Sequence, residues 1–98
     1  MRLSAIVWTL PDETLMRCLH PGLNALVEAA SAAGLPMLGA VDPYDDTRFN
    51  RLQVQTVRNE LRQLADLTED VTAAACELLS LVDLVDLRPH RYLILVGD

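Results

Sequence analysis

The densest group of chemically capable side chains lies between positions 42 and 50, where Asp42, Tyr44, Asp45, Asp46 and Asn50 offer several oxygens. Carboxylates grouped this closely are donors suited to a hard cation such as calcium. A helix–loop–helix calcium loop, however, needs ligands at alternate positions, a central Gly and a distal Glu. This segment has Pro43 at its second position and no Glu near its end. The same side chains suit turns and helix caps, because Asp and Thr oxygens accept backbone N–H bonds. That use assigns Asp42, ahead of Pro43, to a turn and residues 45–47 to the cap of the helix that follows. A third use is contact with a partner.

The remaining candidates for chemistry are sparse. Two carboxylates in a cleft can act as acid and base only where their environments push their pKa values apart. No GxSxG, HExxH, CxxC or glycine-rich phosphate loop occurs, so each familiar enzyme class lacks its minimum set and neither catalysis nor a cofactor is expected. His20 and His90 stand beside prolines near element ends, where capping or surface roles are common. Arg51, Arg58 and Arg62 recur at i, i+7 and i+11, with Arg48 just before them. Such a flank can fork onto an anion. The nearby Asp45, Asp46, Glu60 and Asp66 supply internal partners for surface ion pairs worth about 0–1 kcal/mol each. Between positions 66 and 86 stand six acids, Asp66, Glu69, Asp70, Glu77, Asp83 and Asp86, and no cation. This stripe is either a solvated helix face or a surface that steers a basic partner.

Composition narrows the partners. The 98 residues carry a formal charge of −6 with no lysine, all eight cations being arginine. A net negative field repels a phosphate backbone, so nucleic acid is an unsuitable ligand. The hydrophobic fraction of 51% against 22% charged residues allows a packed core in one domain. With only four aromatic residues, that core is built from Leu, Val and Ala. No apolar stretch reaches the roughly 18–20 residues of a membrane span, and the first ten residues lack the pattern of a cleaved leader. The expected compartment is therefore the cytoplasm. Cys18 and Cys76 lie far apart without metal-ligand spacing, which predicts two buried, reduced thiols.

Helices and strands must position these groups. Residues 3–8 are apolar and partly β-branched and are assigned to a strand. Thr9, Pro11, Asp12 and Glu13 resemble a helix start, and Leu15, Cys18 and Leu19 then share one helical face, which predicts a short helix over 11–19. Leu23, Leu26, Val27, Ala30 and Ala33 continue at helical spacing until Gly34. Pro36 and Gly39 reduce residues 35–41 to an irregular or edge strand. Val54, Val57, Leu61 and Leu64 predict a helix over 51–67. Thr68 caps a further one reaching residue 87 and burying Val71, Ala74, Ala75, Leu78, Val82 and Val85. Pro89 ends it, and residues 91–96 read as a buried strand. The expectation is an α+β, helix-rich single domain with about four helices and a small sheet from the N- and C-terminal strands.

The segment Asp42-Pro-Tyr-Asp-Asp-Thr-Arg-Phe-Asn-Arg-Leu-Gln53 and the ending Arg91-Tyr-Leu-Ile-Leu-Val-Gly-Asp98 resemble those of short acidic bacterial proteins, frequent in actinobacteria and mostly uncharacterised. The resemblance covers about half the chain and implies an immunity protein of a polymorphic toxin system. Such a protein binds a cognate toxin domain and blocks its active site, which requires no chemistry of its own. The residues themselves indicate Asp42, Tyr44, Asp45, Asp46, Arg48, Phe49, Glu69, Asp70 and Glu77 as the partner-binding set, with Tyr44, Arg48 and Phe49 as anchors. The alternative is a self-associating or regulatory module in which the strand 92–96 pairs across a homodimer.

Overall fold

A computed structural model describes residues 2–97; Met1 and Asp98 lie outside the described residues. Its elements in chain order are β1 (Ser4–Thr9), β2 (Glu13–Cys18), α1 (Leu23–Ala32), β3 (Thr47–Phe49), α2 (Gln53–Leu64), α3 (Glu69–Leu87) and β4 (Arg91–Val96). The class is α+β as expected. The described residues form three α-helices rather than about four, and the sheet has four strands in the order β2-β1-β4-β3, every pair antiparallel.

Register explains which side chains meet the helices. Ala5 lies opposite Leu95 and Cys18, Val7 opposite Leu93, and Phe49 opposite Leu93. Directly opposed residues share a face, and these are all buried. They pack against Leu23, Leu26 and Ala30 of α1, Val54, Val57 and Leu61 of α2, and Val71, Ala75, Leu78 and Val82 of α3 in one core. The opposite face of the sheet, bearing Ile6, Trp8, Arg48, Tyr92 and Ile94, carries no helix.

The helix expected over 11–19 is instead β2, folded back on β1 through the turn at residues 10–12. The physical reason is competition. A nine-residue helix is marginal by itself, whereas an extended Thr14–Cys18 satisfies the free edge of β1 and sends Cys18 into the core. Residues 35–41 form no strand; they hold a single 3-10 turn, Leu38–Ala40. Residues 47–49, between the turn at Asp42 and α2, add β3 to the sheet. Gly34, at φ 71°, terminates α1 as its lack of Cβ predicts.

Two caps define the remaining helices. Thr68 Oγ1 accepts the Val71 N–H at 3.2 Å. Ahead of α2 the side-chain bonds to its first backbone N–H come from Asn50 rather than residues 45–47: the Asn50 side chain accepts from the Gln53 N–H, and the Gln53 side chain accepts from the Asn50 N–H, both at 2.9 Å. This reciprocal pair satisfies two otherwise orphaned donors. Glu60, on α2, is 2% exposed. Its carboxylate accepts the Met37 N–H at 3.0 Å and the Leu38 N–H at 2.7 Å, tying the 3-10 turn to the helix. Both cysteines are free, but only Cys18 is buried; Cys76 is exposed on α3, correcting the expectation of two buried thiols. Among the described residues no helix is long and apolar enough to cross a membrane.

Candidate partner-binding site

The residues expected to contact a partner fall into three groups in the fold. The first is the turn preceding β3. Tyr44 N–H donates to Asp42 Oδ1 at 2.9 Å, Asp46 N–H to Asp45 Oδ1 at 2.8 Å, and Asp42 N–H to Thr47 Oγ1 at 3.2 Å. These bonds hold the turn in shape while each Asp keeps a carboxylate oxygen outside these contacts. Asp42, Asp45 and Asp46 are exposed, and Tyr44 is 72% exposed. The turn lies against the end of β4, where a Cβ on Gly97 would run into the Asp45 backbone.

The second group is the first half of α3. Glu69 and Asp70 are exposed in its first turn, where acids complement the helix dipole. A Cβ on Gly22 would come within 2.5 Å of the Asp70 carbonyl, which fixes this helix end beside the chain leaving β2. Two turns further on, Glu77 Oε2 accepts the Cys18 thiol at 3.0 Å. Burial, with the hydrogen bond to Glu77 second, raises the Cys18 pKa from 9.0 to about 11, so the thiol stays protonated and is no nucleophile at neutral pH.

Strand pairing relates the two groups. Ser4 opposes Val96, Ala5 opposes Cys18 and Thr47 opposes Leu95, so the exit of β2, the exit of β4 and the entry to β3 share one end of the sheet. Asp42, Asp45, Asp46, Glu69 and Asp70 therefore gather at that end, the aspartate turn at the β3 edge and α3 at the β2 edge. With three inter-strand gaps between them, the two edges are about 14 Å apart. Exposed Arg2, just before β1, is at the same end and offsets part of this charge.

The acids of the other half of α3 are spent internally. Arg58 pairs with Asp83 at 2.9 Å and Asp86 at 3.6 Å, and Arg51 pairs with Asp86 at 3.7 Å. Within the arginine flank Arg51 and Arg58 are thus ion-paired, with acids of α3 instead of Asp45, Asp46, Glu60 or Asp66, while Arg48 and Arg62 are not among these pairs. Among the described residues these are the ion pairs, so the acids at the β2-exit end are outside them.

The third group divides. Arg48 is exposed on the helix-free face, its guanidinium 5.6 Å from the ring centres of both Trp8 and Tyr92. The two rings are 5.9 Å apart, and Trp8 Nε1 donates to Asp12 at 2.9 Å. Phe49 is 4% exposed and belongs to the core; as a surface anchor it is excluded, because β3 pairing turns it to the inner face opposite Leu93. Trp8 and Tyr92, residues of the type that dominates interfaces, were missed as companions of Arg48. Only the pairing of β1 and β3 with β4 brings them together.

Pairing also relocates the edge available for association. β4 has neighbours on both sides, so the strand expected to pair across a dimer is interior. The sheet ends at β2, around which Leu10, Leu15, Met16 and Leu19 are exposed by 49, 37, 40 and 61%. A groove of about 630 Å³ runs beside it, lined by Met16, Leu19, Pro21, Glu77, Ser80 and Leu81 among others. The bulge at Leu15 breaks the two-residue alternation, setting Thr14 opposite Trp8 and Met16 opposite Val7, so the strand carries no regular periodic signal in the sequence.

No protein-family model matches the chain, and comparison with curated proteins and with solved structures yields no match.

Proposed function

We propose that this protein acts by binding another protein, as an immunity protein that covers the active site of a cognate toxin domain. The observation that supports this reading best is the gathering of five exposed carboxylates, on Asp42, Asp45, Asp46, Glu69 and Asp70, at one end of the sheet and outside the internal ion pairs. Single-sign charge of this kind steers association with a basic surface and rejects acidic ones. A toxin domain that grips phosphate-bearing substrates presents such a basic surface. Tyr44, at the tip of the aspartate turn, supplies an aromatic anchor beside the charges.

The test is purification of the tagged protein from its native host and identification of what co-purifies. A secreted toxin encoded beside it, inhibited on mixing, is the expected result. Replacing the five acids with Asn or Gln together is expected to slow association about tenfold or more at low salt, with a much smaller effect at high salt. Unchanged association would sink the electrostatic reading.

A further inference from the structure

We infer that the pocket beside the start of β4, past the end of β3, binds the phosphate group of a small phosphorylated molecule. This end of the sheet lies opposite the acidic one, and the site is independent of the protein-binding reading. β3 covers β4 only as far as Leu93, which lies opposite Phe49. The chain then turns off towards α2 at Asn50, so Arg91 and Tyr92 run two residues past their neighbour on that side, while β1 still pairs them on the other. The notch left at this edge is a pocket of about 220 Å³, lined by Asn50, Arg51, Leu52, His90, Arg91 and Tyr92. That lining holds two guanidiniums and an imidazole and no carboxylate.

Each arginine is fixed by one bond and keeps others. Arg51 Nε donates to the Asp86 carbonyl at 3.1 Å and Arg91 Nη1 to the Leu84 carbonyl at 2.7 Å, which anchors both on the last turn of α3, where carbonyls lack helical partners. Among the described residues the Nη groups of Arg51, Nε and Nη2 of Arg91, the Asn50 side-chain N–H₂ and the Tyr92 hydroxyl meet no acceptor. Donors on several sides suit a tetrahedral oxyanion, and arginine forks suit phosphate. The nearest acids are engaged elsewhere or distant. Asp86, 3.7 Å from Arg51 Nε, also binds Arg58 and Gln55; Asp12 accepts from Trp8 Nε1; Glu13 opposes Thr9, two strands away from Arg91. Arg48, with its guanidinium 5.6 Å from the Tyr92 ring centre, and exposed Arg88 add positive charge outside the ion pairs. The acidic end is the length of the six-residue β4 away, about 17 Å. That exceeds the roughly 8 Å screening length at physiological salt, so the net −6 leaves the pocket open to a single small anion. A volume below the roughly 300 Å³ of pockets that enclose a whole ligand takes a phosphate and little more. Tyr92 and Leu52, the latter 83% exposed, give the rest of the molecule an apolar rim.

The test titrates the isotope-labelled protein with phenyl phosphate at constant ionic strength, following backbone amides and arginine Nε–H signals. Saturable shifts at residues 50–52 and 90–92 are expected, with residues 42–46 unmoved. Arg51→Gln is expected to weaken binding about fivefold or more, while Gln55 and Arg58 still hold Asp86. His90→Gly is expected to weaken it about threefold with the fold kept. Glycine adopts the φ of 64° at this position readily, and the carbonyl of residue 90 still accepts from the Leu10 N–H and the Thr9 hydroxyl. Shifts matched by sodium chloride, a diffuse ion atmosphere only, would overturn the inference. So would binding unchanged in both variants, or shifts centred away from the pocket. Benzoate binding as tightly as phenyl phosphate would assign the pocket to carboxylates instead. A phosphotyrosine peptide binding about tenfold tighter than phenyl phosphate would move the phosphate onto a protein and overturn the small-molecule assignment. None of these readouts involves a toxin, so the pocket and the immunity reading fail separately.

Discussion

Removing the Glu60 carboxylate tests how the segment between α1 and β3 is held. Glu60→Ala deletes two hydrogen bonds to backbone N–H groups, at 3.0 and 2.7 Å, and leaves the Leu38 amide buried without an acceptor. Bonds to a charged acceptor contribute about 1.5–3 kcal/mol each, and a buried donor left unpaired costs about 1–3 kcal/mol. Relief of the carboxylate's own desolvation opposes these losses. A net destabilisation of about 3 kcal/mol follows, which for a domain near 100 residues lowers Tm by roughly 12–24 °C. Glu60→Gln keeps one acceptor of the same shape and places an N–H₂ against the other donor, so about half that loss is expected. Urea unfolding followed by far-ultraviolet circular dichroism measures both variants, and amide exchange reports Met37 and Leu38 directly. Were Glu60→Ala within about 0.5 kcal/mol of the parent, with those two amides still protected, the anchoring role would be wrong.

Four further outcomes follow from the same structure. At pH 8 a thiol reagent should label exposed Cys76 rapidly and Cys18 only on unfolding, and comparable rates at the two sites would contradict the burial described. The Cys18 pKa is raised in the folded state, so its proton is held there after the unfolded chain releases it. Its contribution to stability is present below pH 9 and is lost as pH rises towards about 11; comparison with Cys18→Ala across that range isolates it. Thr68→Ala removes the acceptor for the Val71 amide and should cost about 1 kcal/mol, whereas Thr68→Ser should cost far less; equal losses would argue against the cap. Arg48→Ala uncovers the Trp8 and Tyr92 rings, so a changed tryptophan emission is expected with a loss of about 0.5–1 kcal/mol, and an unchanged spectrum would refute the stacking.

The sequence by itself determined the parts whose information is local. Apolar residues repeating every three to four positions located α1, α2 and α3, Gly34 and Thr68 marked their ends, and a continuous apolar run located β1 and β4. The acidity of residues 42–46 and 69–77 was equally legible, since charge is a property of composition. Tertiary structure decided what depends on distant partners. The segment 11–19 has side chains compatible with a helical face, and only the open edge of β1 turns it into a strand. β3 is three residues long, too short for any periodicity, and exists because β4 offers it a ladder; that same pairing buries Phe49 and lays Arg48 across Trp8 and Tyr92. Arg51 and Arg58 found their acids on α3 because packing of α2 against α3, which no spacing along the chain encodes, set their neighbours. The candidate site is therefore legible as a set of charges and illegible as a surface, because its halves are joined only through hydrogen bonds between strands far apart in the chain.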